Sequence, residues 1–422
     1  YDEVVLDKKR VTLDIYRKNN YNRSARLPFR LKLVPTIENE KRNTLFWLPA
    51  VMWNNYDKLL AGLLLYNTTI PAKRFQFYAA PLFGFNSKDL TGMAHLEYNF
   101  FPLRVRKTHF TLGLNLRSAN FNYNNTEDFF QQYVKVEPFL KFELPAKHSK
   151  NFFHYLKWRS LIINTEVASF DLEGFQGKTW EGNVIQEFSY NAESRRKLHP
   201  FQFRAILEQQ SYRNVFDERQ QYWKATIEWQ PKLTYARGRN VHFRVFAGGF
   251  IANTKRKGGS IFPGALNMIG QGFYDYRFDG VFLGRNEGTG FWSQQIAIMD
   301  GGFKNTIGQG FALGRSNNFL LAINTSFDLP FDFPLNLPLK PYFDIGYFDN
   351  AMPTGASDRF SDQIMWSGGF MLDGLLSIYF PLANSKNIQD RYAERGGFGT
   401  RISFSIDINK ANPYYYIDRI SF

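Results

Sequence analysis

Histidine is the residue type that most often binds metal ions or transfers protons near neutral pH. The chain has six histidines and no cysteine. A helical zinc-peptidase site requires an H-E-x-x-H motif, and no histidine here begins one. No two of them have the spacing of metal ligands on a single element. They are His95, His109, His148, His154, His199 and His242. We therefore expect no metal site in these residues.

The sequence also lacks the common motifs for nucleophilic catalysis and for phosphate binding. It contains neither the G-x-S-x-G turn that presents a catalytic serine nor the G-x-x-x-x-G-K-[ST] loop that holds nucleotide phosphates. Glycine pairs such as Gly248-Gly249, Gly301-Gly302 and Gly368-Gly369 are better explained by turns and by bends of a barrel. We predict no catalytic residue, no bound cofactor and no enzyme activity within these residues.

Charged side chains instead occupy alternate positions of long segments. In one segment Lys135, Glu137, Lys141 and Glu143 share one face. The opposite face carries Val134, Val136, Pro138, Leu140, Phe142 and Leu144. A period of two residues is typical of a β-strand, whose side chains point to opposite faces in turn. Residues 110–117, 223–233 and 401–408 show the same alternation.

These segments are about ten residues long, which is the length that a tilted strand needs to cross a bilayer. In hydrocarbon every backbone donor and acceptor needs a partner, so such a sheet must close on itself. The fold class is therefore predicted to be all-β, a transmembrane antiparallel β-barrel of about 16 strands within a range of about 14 to 18. The barrel is expected to span residues 27–410, after a charged periplasmic lead-in or linker at 1–26 and before a periplasmic tail at 411–422.

The composition agrees with this fold class. Aromatic residues make up 18% of the chain, with 44 Phe, 23 Tyr and 8 Trp, yet the mean hydropathy is −0.38. Aromatic girdles and an apolar exterior around a polar interior give such values. The longest apolar run, residues 59–66, is too short for a transmembrane helix. We expect a location in the cell outer membrane, with which the absence of cysteine is compatible.

The net charge of +14 results from 52 basic and 38 acidic residues. Nucleic-acid binding is one explanation, and contact with lipid and lipopolysaccharide phosphates is the other. The basic residues are scattered and no nucleic-acid motif accompanies them, which favours the membrane explanation. The expected partners are outer-membrane lipid and lipopolysaccharide, together with other outer-membrane or periplasmic proteins, and no nucleic acid.

If the apolar faces contact lipid, the charged faces must point into the lumen. Both signs of charge occur at similar heights, which favours cross-strand ion pairs over a selectivity ring of one sign. The residues predicted to face the lumen are Lys135, Glu137, Lys141, Glu143, Arg204, Glu208, Lys224, Glu228, Arg244 and Arg401.

Turn signals separate the predicted strands. Asn54-Asn55-Tyr56-Asp57 predicts a tight turn, and Asp373-Gly374 predicts a hairpin. Longer polar connections are expected near residues 253–272, 300–317 and 383–397, and residues 274–285 are a candidate inward loop. One end of the barrel should carry short turns and the other long loops.

Two blocks of sequence carry a family resemblance. They are WNNYDKL at residues 53–59 and FYAAPLFGFNSKDLTG at residues 77–92, with weaker parallels in FLGR at 282–285, DGGFK at 300–304, IYFPL at 378–382 and DINKANP at 407–413. The chain resembles the C-terminal outer-membrane barrel region of Bacteroidetes-type aminopeptidase-N-like (gluzincin) metallopeptidases. In that family a zinc peptidase domain precedes the barrel. The resemblance therefore implies either the barrel part of a longer chain that carries the enzyme activity, or a relative that keeps the barrel alone.

Three functions remain open on the sequence. The first is a membrane anchor or structural subunit for a peptidase domain or a larger outer-membrane complex. The second is a diffusion pore or substrate-specific channel, since about 16 strands can enclose water. The third is a factor in outer-membrane protein assembly or secretion, for which residues 274–285 would supply an inward loop.

Overall fold

The structure is a computed structural model of the 422-residue chain. It describes residues 3–9, 21–23, 29–33, 43–67, 73–101, 109–145, 151–171, 174–213, 219–254, 264–307, 313–331, 337–349 and 360–407. Seventeen strands form one closed barrel. None of the helices described is long and apolar enough to span a bilayer.

The wall strands follow one another around the barrel in chain order, so that the last strand lies beside the first. A separate two-stranded sheet, β1 (Glu3–Val5) with β2 (Tyr21–Arg23), precedes them within the predicted lead-in. The wall consists of β3 (Phe29–Lys32), β4 (Asn43–Asn54), β5 (Lys58–Tyr66), β6 (Phe75–Gly84), β7 (Leu90–Phe100), β8 (Phe110–Asn124), β9 (Phe129–Leu144), β10 (Phe152–Asp171), β11 (Gly174–Ser194), β12 (Phe201–Arg213), β13 (Arg219–Ala236), β14 (Arg239–Asn253), β17 (Phe319–Phe327), β18 (Leu339–Phe348), β19 (Ile364–Leu372), β20 (Leu376–Asn384) and β21 (Ser403–Ile406). Two short strands between β14 and β17, β15 (Leu266–Asn267) and β16 (Arg315–Ser316), pair only with each other.

The exterior of the wall is apolar, as the alternation predicts. On β13 the side chains of Trp223, Ile227, Trp229 and Leu233 are each exposed by 40% or more, whereas Lys224 between them is buried in the interior. A closed sheet leaves no unpaired edge in hydrocarbon, and its exposed apolar residues contact lipid. The predicted fold class, a transmembrane antiparallel barrel of about 16 strands, is confirmed.

A belt of aromatic rings marks one boundary of the apolar exterior. Tyr98 and Phe100 lie 4.6 Å apart between ring centroids, and Phe100 lies 5.7 Å from Phe110. Phe110 is the register partner of Phe142, and Phe75 is the partner of Tyr98. These residues occupy the ends of four neighbouring strands, where amphipathic rings favour the bilayer interface.

The two ends of the barrel differ in their connections. We call the end at which β4 begins and β21 ends the terminal end, and the opposite end the plug end. Because the wall strands from β4 to β21 alternate in direction, the three longest connections, after β14, β18 and β20, all lie at the plug end. Two of these contain helices, α1 (Phe360–Gln363) and α2 (Lys386–Arg395), neither of which the sequence patterns predicted.

The predicted turns form through local chemistry. The Asn54 Oδ1 atom accepts hydrogen bonds from the backbone N–H groups of Tyr56 (2.8 Å) and Asp57 (2.7 Å), which closes the turn between β4 and β5. Asp373 and Gly374 lie between β19 and β20, as predicted. Ile408 and the predicted tail at 411–422 lie outside the described residues.

The wall is thinnest where its two ends meet, in a sector that we call the seam. It comprises β21 and β3, which lie between β20 and β4. β21 pairs with β20 through four residue pairs, and β3 pairs with β4 through four more, in the parallel sense. The neighbouring pair β19 and β20 has six. Fewer ladder hydrogen bonds make the seam the weakest sector of the described wall.

Candidate functional site: the plugged lumen

The connection between β14 and β17 enters the barrel and fills its interior. We call its described residues, 264–307 and 313–318, the plug. The plug includes β15, β16 and two short 3-10 turns, Gly272–Tyr274 and Phe291–Gln294. Its segment at residues 274–285, the candidate inward loop of the sequence analysis, lies inside the lumen and contacts wall side chains. Of the polar connections predicted near 253–272 and 300–317, the described residues 264–272, 300–307 and 313–317 are parts of the same plug.

The main hydrophobic core of the protein lies between the plug and one side of the wall. From the plug it contains Leu266, Met268, Phe303 and Ile307, none more than 1% exposed. The wall contributes Tyr222, Phe246, Leu320, Met365, Tyr379 and others from β13 to β20. Burying each large apolar side chain stabilises the fold by about 1.5 to 3 kcal/mol, so the plug is an integral part of the folded core.

On the opposite side the plug is held by buried charges. Arg159 on β10 donates hydrogen bonds to Glu187 on β11 (2.6 Å) and to Asp279 of the plug (2.8 Å), and its guanidinium lies 3.2 Å from Glu137. Lys135 on β9 reaches the same Asp279 carboxylate at 2.5 Å. We call the loop around Asp279 the plug tip. We call these five residues the tip lock, because they fix the plug tip to three wall strands.

A second polar group fixes the residues just before Asp279. The Tyr276 hydroxyl donates a hydrogen bond to Glu208 on β12 (2.6 Å), and Lys224 on β13 lies 3.1 Å from the same carboxylate. Arg277 lies 3.4 Å from Glu208 and 3.6 Å from Glu187, which connects this group to the tip lock. Buried charges are tolerated when they are paired and hydrogen-bonded in this way.

Arg285 gives the plug tip its shape. Its guanidinium donates hydrogen bonds to the Gly272 carbonyl (3.2 Å), the Gly280 carbonyl (2.7 Å) and the Asp275 carboxylate (3.1 Å). The guanidinium also lies 4.4 Å from the ring centroid of Phe278. Because Arg285 contacts both ends of this loop, it holds the segment that carries Asp279 in a fixed conformation.

Charges also fix the return segment of the plug. Lys304 donates a 2.6 Å hydrogen bond to the fully buried Asp344 on β18, and Arg244 on β14 donates to the Asp300 carbonyl at 2.6 Å. Gly302 beside them has a φ of 66°. This positive φ favours glycine, and a Cβ atom there would lie 2.6 Å from the Arg244 guanidinium and would have to displace it.

The plug also contacts the seam. Trp292 of the plug lies 4.4 Å from Trp53 at the end of β4, and Phe291 stacks on Phe404 of β21 at 4.9 Å. The backbone N–H of Ile296 donates to the Phe404 carbonyl at 2.8 Å. The plug therefore touches β21 and β4, the two strands that enclose β3.

The residues predicted to face the lumen fall into three groups. Lys135, Glu137, Glu208, Lys224 and Arg244 are buried against the plug or its ion pairs. Lys141, Glu143, Arg204 and Glu228 are partly exposed in what we call the vestibule, the lumen between the plug tip and the terminal end. Arg401 lies just before β21 and not within a strand, with its guanidinium 5.3 Å from the Tyr392 ring centroid.

Three of the described histidines contact carboxylates, His154 contacts the Tyr190 hydroxyl, and His199 accepts a hydrogen bond from the Thr234 N–H. His95 lies 3.3 Å from Glu97, His109 lies 2.8 Å from Glu143, and His242 lies 3.5 Å from Asp328. No group of three or more His, Cys, Asp or Glu side chains within the described ranges has the arrangement of a metal site. His148 lies outside those ranges.

Two wall residues of the tip lock, Lys135 and Glu137, were predicted from the sequence, whereas the wall residues Arg159 and Glu187 and the plug residue Asp279 were not. Lys135 and Glu137 follow from strand alternation, but Asp279, Arg277 and Arg285 lie in a segment without any regular period. One signal was available: residues 264–307 combine many glycines with apolar residues that fit neither a strand nor a polar surface loop.

No family model matches the chain, and no curated protein matches it. Among solved structures the chain is similar to BamA from Haemophilus ducreyi lacking POTRA domains 1–3, with 8% identity and a TM-score of 0.41 over 81% of this chain and 67% of that one. It is also similar to CdiB from Acinetobacter baumannii, with 9% identity and a TM-score of 0.39 over 81% of this chain and 57% of that one. At this level of similarity only the general fold is compared.

Proposed function

We propose that this chain is a closed, plugged barrel of the outer membrane that acts as a membrane anchor or structural subunit. One observation carries the proposal: the plug occupies the lumen as part of the hydrophobic core and is also held by the tip lock. A diffusion pore needs a continuous water-filled path, and a lumen filled by buried side chains does not provide one. The proposal therefore favours anchoring over passive transport.

The geometry of the ends supports an anchoring role. β4 begins and β21 ends at the terminal end. A domain attached at either side of the barrel would therefore lie on the same side of the membrane. The peptidase domain implied by the sequence resemblance would occupy this position, and the terminal end is then periplasmic.

Two measurements test the anchoring role. A folded reporter domain fused before residue 1 should co-fractionate with outer membranes, and the same reporter fused to β1–β2 alone should be soluble in the periplasm. In planar bilayers the purified barrel should show no large, steady single-channel currents. Either steady currents or a reporter that is soluble despite an intact barrel would contradict the proposal.

A second candidate, a factor in outer-membrane protein assembly or secretion, is favoured by the seam. Its strands pair over only four residues each, so a sideways opening there breaks the fewest hydrogen bonds. Engineered disulfides test this directly, because the chain has no cysteine of its own. Ser377 and Ser405 are register partners across β20 and β21, and Leu31 and Leu45 are partners across β3 and β4.

If the seam opens during function, S377C/S405C and L31C/L45C should block the assembly of client proteins under oxidising conditions, and reductant should restore it. T325C/F343C, a register pair on β17 and β18 away from the seam, is the matched control and should have no effect. Normal outer-membrane composition in cells with both seam pairs oxidised would exclude an opening between β20 and β21 or between β3 and β4 as part of the function.

A further inference from the structure

Two adjacent turns at the terminal end carry exposed cations. Arg196 and Lys197 lie between β11 and β12, and Arg237 lies between β13 and β14; all three are exposed. The turns are joined by hydrogen bonds from Lys232 N–H to the Pro200 carbonyl (2.9 Å) and from Thr234 N–H to His199 Nδ1 (3.3 Å). We call Arg196, Lys197 and Arg237 the basic rim.

The basic rim has no carboxylate partner among the ion pairs of the described residues. Two acidic groups at the same end of the barrel are already engaged: Glu193 pairs with Arg195 at 3.1 Å, and Asp328 pairs with Lys340 at 3.0 Å. Two exposed cations at the plug end differ, since Lys178 pairs with Glu166 at 2.7 Å and Lys386 pairs with Asp390 at 2.9 Å. Uncompensated positive charge therefore collects at this part of the terminal end.

Exposed apolar side chains surround the same turns. Leu198, which follows the two cations directly, is 63% exposed, and Tyr235 is 48% exposed. Leu233 and Tyr235 continue the outward-facing row of β13 that includes Ile227 and Trp229. The cations consequently lie immediately beyond the lipid-facing wall, at the height at which phospholipid headgroups begin.

We propose that the basic rim binds the headgroup of an anionic phospholipid in the leaflet at the terminal end. Arg196, Lys197 and Arg237 would contact the phosphate and the surplus negative charge, while Leu198 and Tyr235 contact the upper part of the acyl chains. A soluble acidic protein is disfavoured as the occupant because the patch is continuous with the membrane-facing wall. Zwitterionic lipids offer no net charge for three unpaired cations to neutralise.

The test uses the purified whole chain in nanodiscs of phosphatidylcholine alone or of an equal mixture with phosphatidylglycerol. Lipids that stay bound after release into detergent are counted by native mass spectrometry. The wild-type barrel should retain phosphatidylglycerol in preference to phosphatidylcholine, and added salt should weaken this retention more than a neutral osmolyte does. Each cation removed should lower the apparent affinity about fivefold, from about 1 kcal/mol per basic residue near an anionic surface.

Less phosphatidylglycerol should be retained by the double variant R196Q/K197Q than by the wild type. The least should be retained by the triple charge-reversal variant R196E/K197E/R237E. K88E/K386E, which changes exposed lysines at the plug end, is the control and should match the wild type. Folding is checked by heat-modifiable gel migration. If the triple variant does not fold, the lipid retention of the double variant tests the proposal. Equal retention of the two lipids by the wild type, or undiminished phosphatidylglycerol on the folded variants, would overturn the proposal. Neither result would bear on the anchoring role, which is tested by fractionation and conductance.

Discussion

Arg159 is the residue on which most of the tip lock converges. Its side chain is only 9% exposed and lies within hydrogen-bond reach of three carboxylates, on Glu137, Glu187 and Asp279. Two of these are wall residues that are almost fully buried. A buried charge without a partner is much more costly than a buried pair is favourable. Replacing one residue of the tip lock should therefore destabilise the fold, because its buried charged partners remain.

We predict that Arg159→Gln destabilises the folded barrel by about 3 to 5 kcal/mol, because it leaves Glu137 and Glu187 without their main counter-charge. The plug tip should also separate from the wall, since Asp279 loses two hydrogen bonds. Urea unfolding followed by gel migration measures the stability, and planar-bilayer recordings detect transient openings. Asp390→Asn, which breaks an exposed pair on α2, is the control and should change stability by less than about 1 kcal/mol. An Arg159→Gln barrel as stable as the wild type would contradict the lock.

The plug side of the lock predicts a dependence on pH. Burial alone would raise the pKa of Asp279, but the charges of Arg159 and Lys135 and the hydrogen bond from Arg159 hold that pKa well below its usual range. A carboxylate with a depressed pKa stabilises the fold fully above its unfolded-state pKa of about 3.9, and this contribution is lost as the pH falls through the folded-state value. The plug should therefore be equally closed at pH 7 and pH 5.

Conductance recorded at decreasing pH tests this expectation. The wild-type barrel should begin to show openings only below about pH 4, where Asp279 starts to take up a proton in the loosened state. Asp279→Asn, which cannot titrate, should show a higher frequency of openings at pH 7 and a weaker response to acid. A wild-type barrel that opens between pH 7 and pH 5 would show that other groups control the plug.

The sequence could predict which wall side chains face lipid and which face the lumen, because a strand has a fixed period of two residues. Once alternation assigns Val134 and Val136 to the lipid face, Lys135 and Glu137 must point inward. Their partners could not be predicted in the same way. Asp279 is separated from Lys135 by 144 positions along the chain, and no periodic rule connects an irregular loop to a strand.

At the scale of elements, β10 and β11 extend beyond their neighbours. β9 pairs with β10 only up to Thr165, and β12 pairs with β11 only from Ile185. The part of the hairpin beyond these positions pairs with itself, with Glu166 opposite Trp180. Its contacts with the rest of the wall are the stacking of Phe175 on Phe129 (4.4 Å between ring centroids) and a few side-chain hydrogen bonds, such as that from Lys178 to the Phe130 carbonyl (2.9 Å).

We predict that this projection is dispensable for folding. Replacing residues 167–179 by an Asn-Gly turn, which suits a two-residue hairpin loop, should leave a folded, heat-modifiable barrel. The loss of the exposed Lys178–Glu166 pair should cost at most about 1 kcal/mol. The same replacement with Pro-Pro, which cannot form the hairpin turn, is the control for local misfolding. A shortened Asn-Gly barrel that fails to fold would show that the projection nucleates the wall.

The elements that the sequence predicted correctly are those formed by local rules. The Asn54 turn closes through hydrogen bonds to the next two or three residues, and Asp373-Gly374 joins strands that are adjacent in the chain. The plug and α2 follow no such rule. α2 is buried through Ile388 and Tyr392, and the Asn305 side chain of the plug donates to the Tyr392 hydroxyl at 2.9 Å. These are contacts between distant parts of the chain, which determine its position.

At the scale of the whole molecule, the interior is divided into two different environments. One side of the plug is held mainly by apolar packing against β13 to β20, to which Lys304–Asp344 and Arg244 add buried polar contacts, and the other mainly by the charges of β9 to β13. The sequence predicted a polar, ion-paired interior but not the apolar core within it, because wall residues such as Leu320 and Met365 face plug residues and not lipid. The anchoring role, the peptidase resemblance and the lipid partners stay predictions.

Because the plug fills the lumen and supplies the main core, its removal has two predicted consequences for the barrel. β14 and β17 are register partners from Val241 and Phe327 to Gly249 and Phe319, so the wall is continuous without the segment that joins them. Deleting residues 255–316 and joining β14 to β17 by a short glycine-serine linker should leave a barrel that closes but has lost its main core. We expect lower thermal stability and, in planar bilayers, steady currents that the intact protein does not show, since about 16 strands enclose a water-filled channel when nothing fills them.

A variant that lacks only the tip contacts, Asp279→Ala with Arg277→Ala, keeps the apolar half of the plug and should give brief openings instead. If the plug deletion folds and still carries no current, the lumen is closed by something other than the plug, and the assignment of the plug as the barrier is wrong.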